Sequence, residues 1–271
     1  MACDICGKET APRADYCPRC RKFIFHKPEH KARAAALKDA WDPVLNGFRC
    51  KYTGVKLNET NPRSRRYLTF DHVIPGARGR LVVCCRLINE MKSDMTADEF
   101  VAVVRAFDTY RKTGVFPKEA IDLRHWVRLV PPSTFGTARL PPERGTAVVG
   151  CEICKKPSVP GSVYCPRCRK FVFGKYEHRA RREAFKRSWS PKRDGFICEY
   201  TGVKLEENDT KDPWYISVDH RFPGKKGNLA VSARFVNTIK GTLTAERFPK
   251  VMEALVRHLE GEPFDESLLD E

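Results

Sequence analysis

Apolar and polar residues alternate at the period of a β-strand over Tyr67 to Ile74 and again over Tyr215 to Phe222, and each stretch runs into a Pro-Gly turn. The apolar runs Leu81 to Val83 and Leu229 to Val231 follow and predict the returning strands of two hairpins. The period then changes. Leu87, Ile88 and Met91 fall on one side of a short helix, while Arg86, Asn89 and Lys92 recur at three-residue spacing within about a third of its circumference. Arg234, Asn237 and Lys240 repeat that spacing. The pattern predicts a unit of strand, turn, strand and helix, present twice, with a polar helix face looking across at the strands. Helical composition also covers Glu29 to Trp41 and Glu177 to Trp189, with His30 and His178 at their starts as surface or capping residues. Ile121, Trp126 and Leu129 share a face of a structured segment over 118–130, and the paired prolines and scattered glycines of 131–150 read as an extended linker.

These units recur because the chain is a duplication. Cys3, Cys6, Cys17 and Cys20 reappear 148 residues later as Cys151, Cys154, Cys165 and Cys168. The same offset carries Trp41 to Trp189, Asp71 to Asp219, His72 to His220, Asn89 to Asn237 and Phe100 to Phe248, and roughly half of the aligned positions are identical. Two copies that drifted apart within one chain show which positions withstood the drift. Those are mostly Cys, Gly, Pro, aromatic residues and polar groups able to carry chemistry.

Composition narrows the partners. With 41% hydrophobic and 31% charged residues, the 271-residue chain is too apolar for wholesale disorder and too charged for a membrane protein. No apolar run approaches the roughly 20 residues of a membrane span. The start, Met-Ala-Cys-Asp-Ile-Cys, lacks a secretory pattern, so a cytoplasmic protein is expected. A net charge of +16, spread over both copies, makes a polyanion the first partner to consider; a merely solubilising surface is the plain alternative.

The spacing Cys-x2-Cys-x10-Cys-x2-Cys, repeated, has a direct chemical meaning. Each close pair offers two thiolates to one edge of a tetrahedron, and the second pair completes it. A segment of about 25 residues cannot bury enough surface to fold unaided, so bound zinc is expected to stabilise it, with no open position for catalysis. Disulfides are the alternative, disfavoured inside a cell. Arg21, Lys22, Phe23 and Phe25, and again Arg169, Lys170, Phe171 and Phe173, follow each cysteine segment. Basic residues beside aromatics can hold a nucleic-acid backbone and stack on bases, or the phenylalanines can form a small core.

Copy two carries CEYTGVKL at 198–205, Val218-Asp219-His220 with Pro223, Gly227-Asn228-Leu229-Ala230-Val231, and Asn237 with Lys240. Copy one carries CKYTGVKL at 50–57, Phe70-Asp71-His72 with Pro75, Gly79-Arg80-Leu81-Val82-Val83, and Asn89 with Lys92. This constellation resembles the HNH, or ββα-metal, nuclease family, and is most similar to the HNH domains of RNA-guided CRISPR effector nucleases and their transposon-encoded relatives. The resemblance covers roughly 48–96 and 196–244, less than half of the chain, and guide-RNA dependence is not implied.

The resemblance implies that Asp219 and Asn237, and Asp71 and Asn89, bind Mg²⁺ through oxygen. His220 and His72 would be general bases, Asn228 would support the loop, and Lys240 and Lys92 would approach a phosphate. Arg234 and Arg86 lie on the same helix faces as further nucleic-acid contacts, together with Arg169, Lys170, Arg21 and Lys22 on the cysteine segments. Copy one departs from the family at Arg80, which stands at the middle Asn position, so copy two is the safer site. Cys50, Cys84, Cys85 and Cys198 sit where many HNH domains carry a zinc site, but the set is incomplete and they read as small buried residues.

The expected fold class is α+β in two tandem repeats, each a zinc ribbon followed by a ββα-metal module with flanking helices. Ribbons at 1–25 and 149–173, modules at 26–112 and 174–260, a connecting segment at 113–148 and an acidic tail at 261–271 complete it. The expected activity is Mg²⁺-dependent hydrolysis of phosphodiester bonds, in DNA before RNA. A noncatalytic nucleic-acid-binding protein that keeps the HNH scaffold is the rival, and a zinc-ribbon adaptor is a third reading.

Overall fold

A computed structural model describes residues 1–123, 150–158 and 161–270. The part of the expected structured segment beyond residue 123, and residues 131–149 of the expected linker, lie outside the described residues. The chain is a mixture of helices and small antiparallel hairpins in two similar halves, each with a four-cysteine cluster. Copy one contains α1 (Pro18–Ile24), α2 (His30–Ala40), the short pair β1 (Trp41–Asp42) and β2 (Gly47–Phe48), the hairpin β3 (Leu68–His72) and β4 (Leu81–Cys85), α3 (Arg86–Lys92) and α4 (Ala97–Thr113). Copy two repeats the order as α5 (Pro166–Val172), α6 (His178–Ser188), β5 (Trp189–Ser190), β6 (Gly195–Phe196), β7 (Ile216–His220), β8 (Leu229–Ala233), α7 (Arg234–Lys240) and α8 (Arg247–Leu259).

Two compact units are present. One holds Met1–Asp108, the described part of Glu119–Trp126, and Pro249–Glu271; the other holds Thr109–Lys118 and the described part of Val127–Phe248. In the first unit the acidic end of the chain is packed in place. Phe264 and Leu269 are buried there, and Arg66 pairs with Glu266 at 2.6 Å and with Asp270 at 2.7 Å.

The hairpin registers position the chemistry. In copy two Val218 pairs with Val231, Asp219 with Ala230 and His220 with Leu229; in copy one Phe70 pairs with Val83, Asp71 with Val82 and His72 with Leu81. The short helix after each hairpin buries the side that its apolar residues predict: Leu87, Ile88 and Met91 in α3, and Phe235, Val236 and Ile239 in α7. Phe171 shows why the cysteine segment docks where it does. It stacks on Phe185 of α6 at 5.4 Å and meets Phe196 of β6 edge-on at 5.8 Å, and burying one such ring stabilises the unit by about 1.5–3 kcal/mol. Among the described residues no helix is long and apolar enough to cross a membrane.

Candidate functional site

Each cysteine cluster is built from two tight turns and the start of a helix. Gly7, at φ 68°, closes the first turn by donating its amide to the Cys3 carbonyl at 2.9 Å. Cys17 sits at the N-cap of α1 and Cys20 one turn inside it. The four sulfurs of Cys3, Cys6, Cys17 and Cys20 lie within 4.8 Å of one another, as do those of Cys151, Cys154, Cys165 and Cys168. Cys6 and Cys17 are 3.5 Å apart, and so are Cys154 and Cys165. A disulfide needs about 2.05 Å, whereas four sulfurs about 2.3 Å from one ion stand about 3.8 Å apart. The clusters could therefore hold zinc. Burial pushes the Cys3 thiol up, but backbone amides from Cys17 and Cys6 outweigh it and bring it down to about 6; Cys151 comes down to about 7 in the same way. Cys50, Cys84 and Cys85 are buried free thiols, and among the described residues they join no such cluster.

Each cysteine segment is fastened to its own module. Arg19 forms a two-pronged ion pair with Glu59, its guanidinium lying 5.0 Å over the Trp41 ring. Arg167 does the same with Glu207, 4.9 Å over Trp189. Lys22 donates to the Glu59 carbonyl and Lys170 to the Glu207 carbonyl, both at 2.7 Å. These lysines, expected to contact nucleic acid, are therefore engaged within the fold. The aromatic pair differs in burial: Phe23 and Phe171 are core, while Phe25 and Phe173 are 48% and 41% exposed beneath the guanidinium groups of Arg21 and Arg169.

At the hairpin end, β7 continues its ladder through His220 without distortion. Adjacent residues therefore leave the strand on opposite faces. Asp219, 4% exposed, turns toward α7: Lys240 Nζ donates to its Oδ1 at 3.0 Å and Tyr200 Oη to its Oδ2. Asp71 repeats this with Lys92 at 2.9 Å and Tyr52 at 2.5 Å. Lys92 and Lys240 are wholly buried and also donate to the carbonyls of His72 and His220. The expectation that they approach a phosphate is thus corrected: at the inner end of the helix face, the long side chain reaches the aspartate instead of solvent. Burial, reinforced by the neighbouring carboxylate, pushes the Tyr52 and Tyr200 hydroxyls far up, so they remain proton donors.

Asn237 Nδ2 donates to Ser217 Oγ at 2.8 Å and Val218 O at 3.4 Å, and Asn89 Nδ2 to Phe70 O at 3.2 Å. The helix thus brings its asparagine to the strand that carries the aspartate. Arg86 and Arg234 clamp backbone carbonyls, those of Pro62 (2.8 Å) and Thr210. Asn228 takes the left-handed conformation, φ 47°, which asparagine tolerates, and its carbonyl accepts the Arg221 amide at 3.2 Å. Arg80 accepts the Val73 amide at 3.0 Å, so the turn closes in both copies despite the substitution.

His220 stands on the other face, its side chain 44% exposed, and its Nε2 lies 3.2 Å from Glu177 Oε1. His72 pairs with Glu29 Oε2 at 3.0 Å. Both glutamates also accept the turn amides, Gly227 at 2.9 Å and Gly79 at 2.7 Å. Those amides, and then the histidines, hold the glutamate carboxyls below their ordinary range. Sequence reasoning missed the glutamates and the tyrosines. Their signal was identity at the 148-residue offset, Glu29 with Glu177 and Tyr52 with Tyr200, without a motif to assign them a role.

The chemistry of the donors fits a hard cation. Each Asp219 oxygen accepts one hydrogen bond and so keeps a lone pair, and the Asn237 amide oxygen meets no partner among the described residues. The neighbouring ammonium of Lys240 already compensates the Asp219 carboxylate and opposes a second positive charge beside it. Comparison of the chain with protein-family models, with curated proteins and with solved structures finds no match.

Proposed function

We propose that the chain is a metal-dependent endonuclease of the HNH type, with zinc held by the two cysteine clusters and one hydrolytic site per repeat. The observation that carries the proposal is the recurrence of one constellation in both copies. A buried aspartate lies between a tyrosine and a lysine, the helix asparagine is bonded to the same strand, and a half-exposed histidine stands at the strand end. In copy two, Asp219 and Asn237 would hold Mg²⁺, which when bound offsets charge on the phosphate and on the leaving oxygen. His220 takes a proton from the attacking water; the water oxygen bonds to phosphorus, the bond to the leaving 3′ oxygen breaks, and that oxygen is protonated from solvent. Lys240 holds Asp219 in place from inside. The exposed Arg21–Phe25 and Arg169–Phe173 pairs supply contacts for DNA, the first substrate to test.

The locked Asp219–Lys240 pair favours a second reading, in which the scaffold is retained for docking on nucleic acid without catalysis. A plasmid-nicking assay in Mg²⁺ against EDTA, with wild type, His72→Ala, His220→Ala and the double variant, separates the two. Metal-dependent nicking that the double variant loses supports the nuclease. Binding without cleavage of any DNA or RNA establishes the docking protein.

A further inference from the structure

The candidate general base is an imidazole whose Nε2 is already engaged. One carboxylate in each copy ties three separate pieces of chain together. Glu177 opens α6, holds His220 at the strand end and accepts the amide of Gly227 in the hairpin turn. Glu29 opens α2 and does the same for His72 and Gly79. Both glutamates sit at a helix N-cap in the left-handed conformation, φ 56°, yet neither side chain caps its helix. Asparagine, aspartate, serine or glycine would serve that position better if capping were its purpose. The longer side chain is explained by its reach to the histidine. Nδ1 of His220 and of His72 has no hydrogen-bond partner among the described residues.

We propose that Glu177 and Glu29 are positioning residues for His220 and His72. Each carboxylate accepts the Nε2 proton and so fixes the ring in the tautomer whose lone pair is on Nδ1, the nitrogen that faces the attacking water. The identity of that proton donor rests on the nuclease reading above; the tie between glutamate and ring does not. As the water oxygen bonds to phosphorus and the bond to the leaving oxygen breaks, the water proton passes to Nδ1. The ring becomes an imidazolium beside a carboxylate, while the leaving oxygen is protonated from solvent. A backbone carbonyl could fix the tautomer, but the carboxylate also compensates the charge that forms.

Glutamine at these positions cannot meet both demands, because its amide NH₂ would face either the Gly227 N–H or the Nε2–H. The test uses the full chain carrying His72→Ala, so that only copy two acts. Adding Glu177→Gln is expected to lower kcat about 10- to 100-fold with little change in KM. In the zinc-loaded full-length protein without added Mg²⁺ at pH 8, ¹⁵N–¹H ring correlations are expected to show His220 as the Nε2–H tautomer, and Glu177→Gln is expected to abolish that preference. The proposal is overturned if Glu177→Gln leaves kcat intact in an active enzyme. It is equally overturned if the wild-type ring carries its proton on Nδ1. A wild-type chain that cleaves nothing defeats the nuclease reading, and the ring tautomer then decides the positioning claim alone.

Discussion

The two buried lysines concentrate the most electrostatic risk in single side chains. Lys240 is wholly buried against Asp219, and removing one member of such a pair leaves the other charge uncompensated. Lys240→Met is therefore expected to lower the unfolding free energy by about 3–5 kcal/mol in urea titrations, and Asp219→Asn combined with Lys240→Met is expected to recover part of that loss. Glu177 makes a separate prediction. Its carboxyl is held below the ordinary 4.5 by the Gly227 amide first and His220 second. A depressed carboxyl contributes stability that is fully present above the ordinary value and is lost as the pH falls through the lowered one. The difference in Tm between wild type and Glu177→Gln should thus persist at pH values above the ordinary 4.5 and shrink as the pH is taken below it. A difference that grows on acidification would contradict this linkage. Some of this was legible in the sequence: Asp219, His220, Asn237 and Lys240 stand out because both copies retain them. That Lys240 points inward and that Glu177 reaches His220 was not legible, since the Glu177–His220 partners lie 43 residues apart.

Elements explain why the cysteine segments are attached as they are. A short helix such as α5 gains little from its own hydrogen bonds, so its position depends on the cluster before it and on Phe171 and Arg167 beneath it. Each cluster should hold one zinc. Metal analysis of the purified chain is expected to show two zinc ions, and Cys154→Ser one, with a lower Tm; an unchanged zinc content would refute the cluster in copy two. Arg167→Ala should loosen the same element without removing metal, because the Arg167–Glu207 pair and the stack on Trp189 are lost while the sulfurs remain. The elements themselves were largely readable. Alternation located both hairpins, and the three-residue polar spacing located α3 and α7. The register runs unbroken to His72 and His220, which fixes the opposite facing of each histidine and its neighbouring aspartate.

At the scale of the whole molecule, an excess of 16 positive charges spread over a duplicated chain sets the long-range behaviour toward polyanions. Duplex affinity measured by fluorescence anisotropy should fall by about 40-fold between 50 and 200 mM salt for every three phosphates neutralised; a flat salt dependence would argue for a protein partner. The duplication, the two cysteine clusters and the order of hairpin and helix were determined by the sequence alone, because they rest on spacing and periodicity, which are properties of neighbouring residues. Only the tertiary structure decided which charges are satisfied inside. It turned Lys92 and Lys240 from expected phosphate contacts into buried counter-ions, committed Lys22 and Lys170 to backbone carbonyls, and gave each histidine a glutamate partner. The physical reason is that the direction of a long side chain depends on what lies across the fold, and no local pattern encodes that.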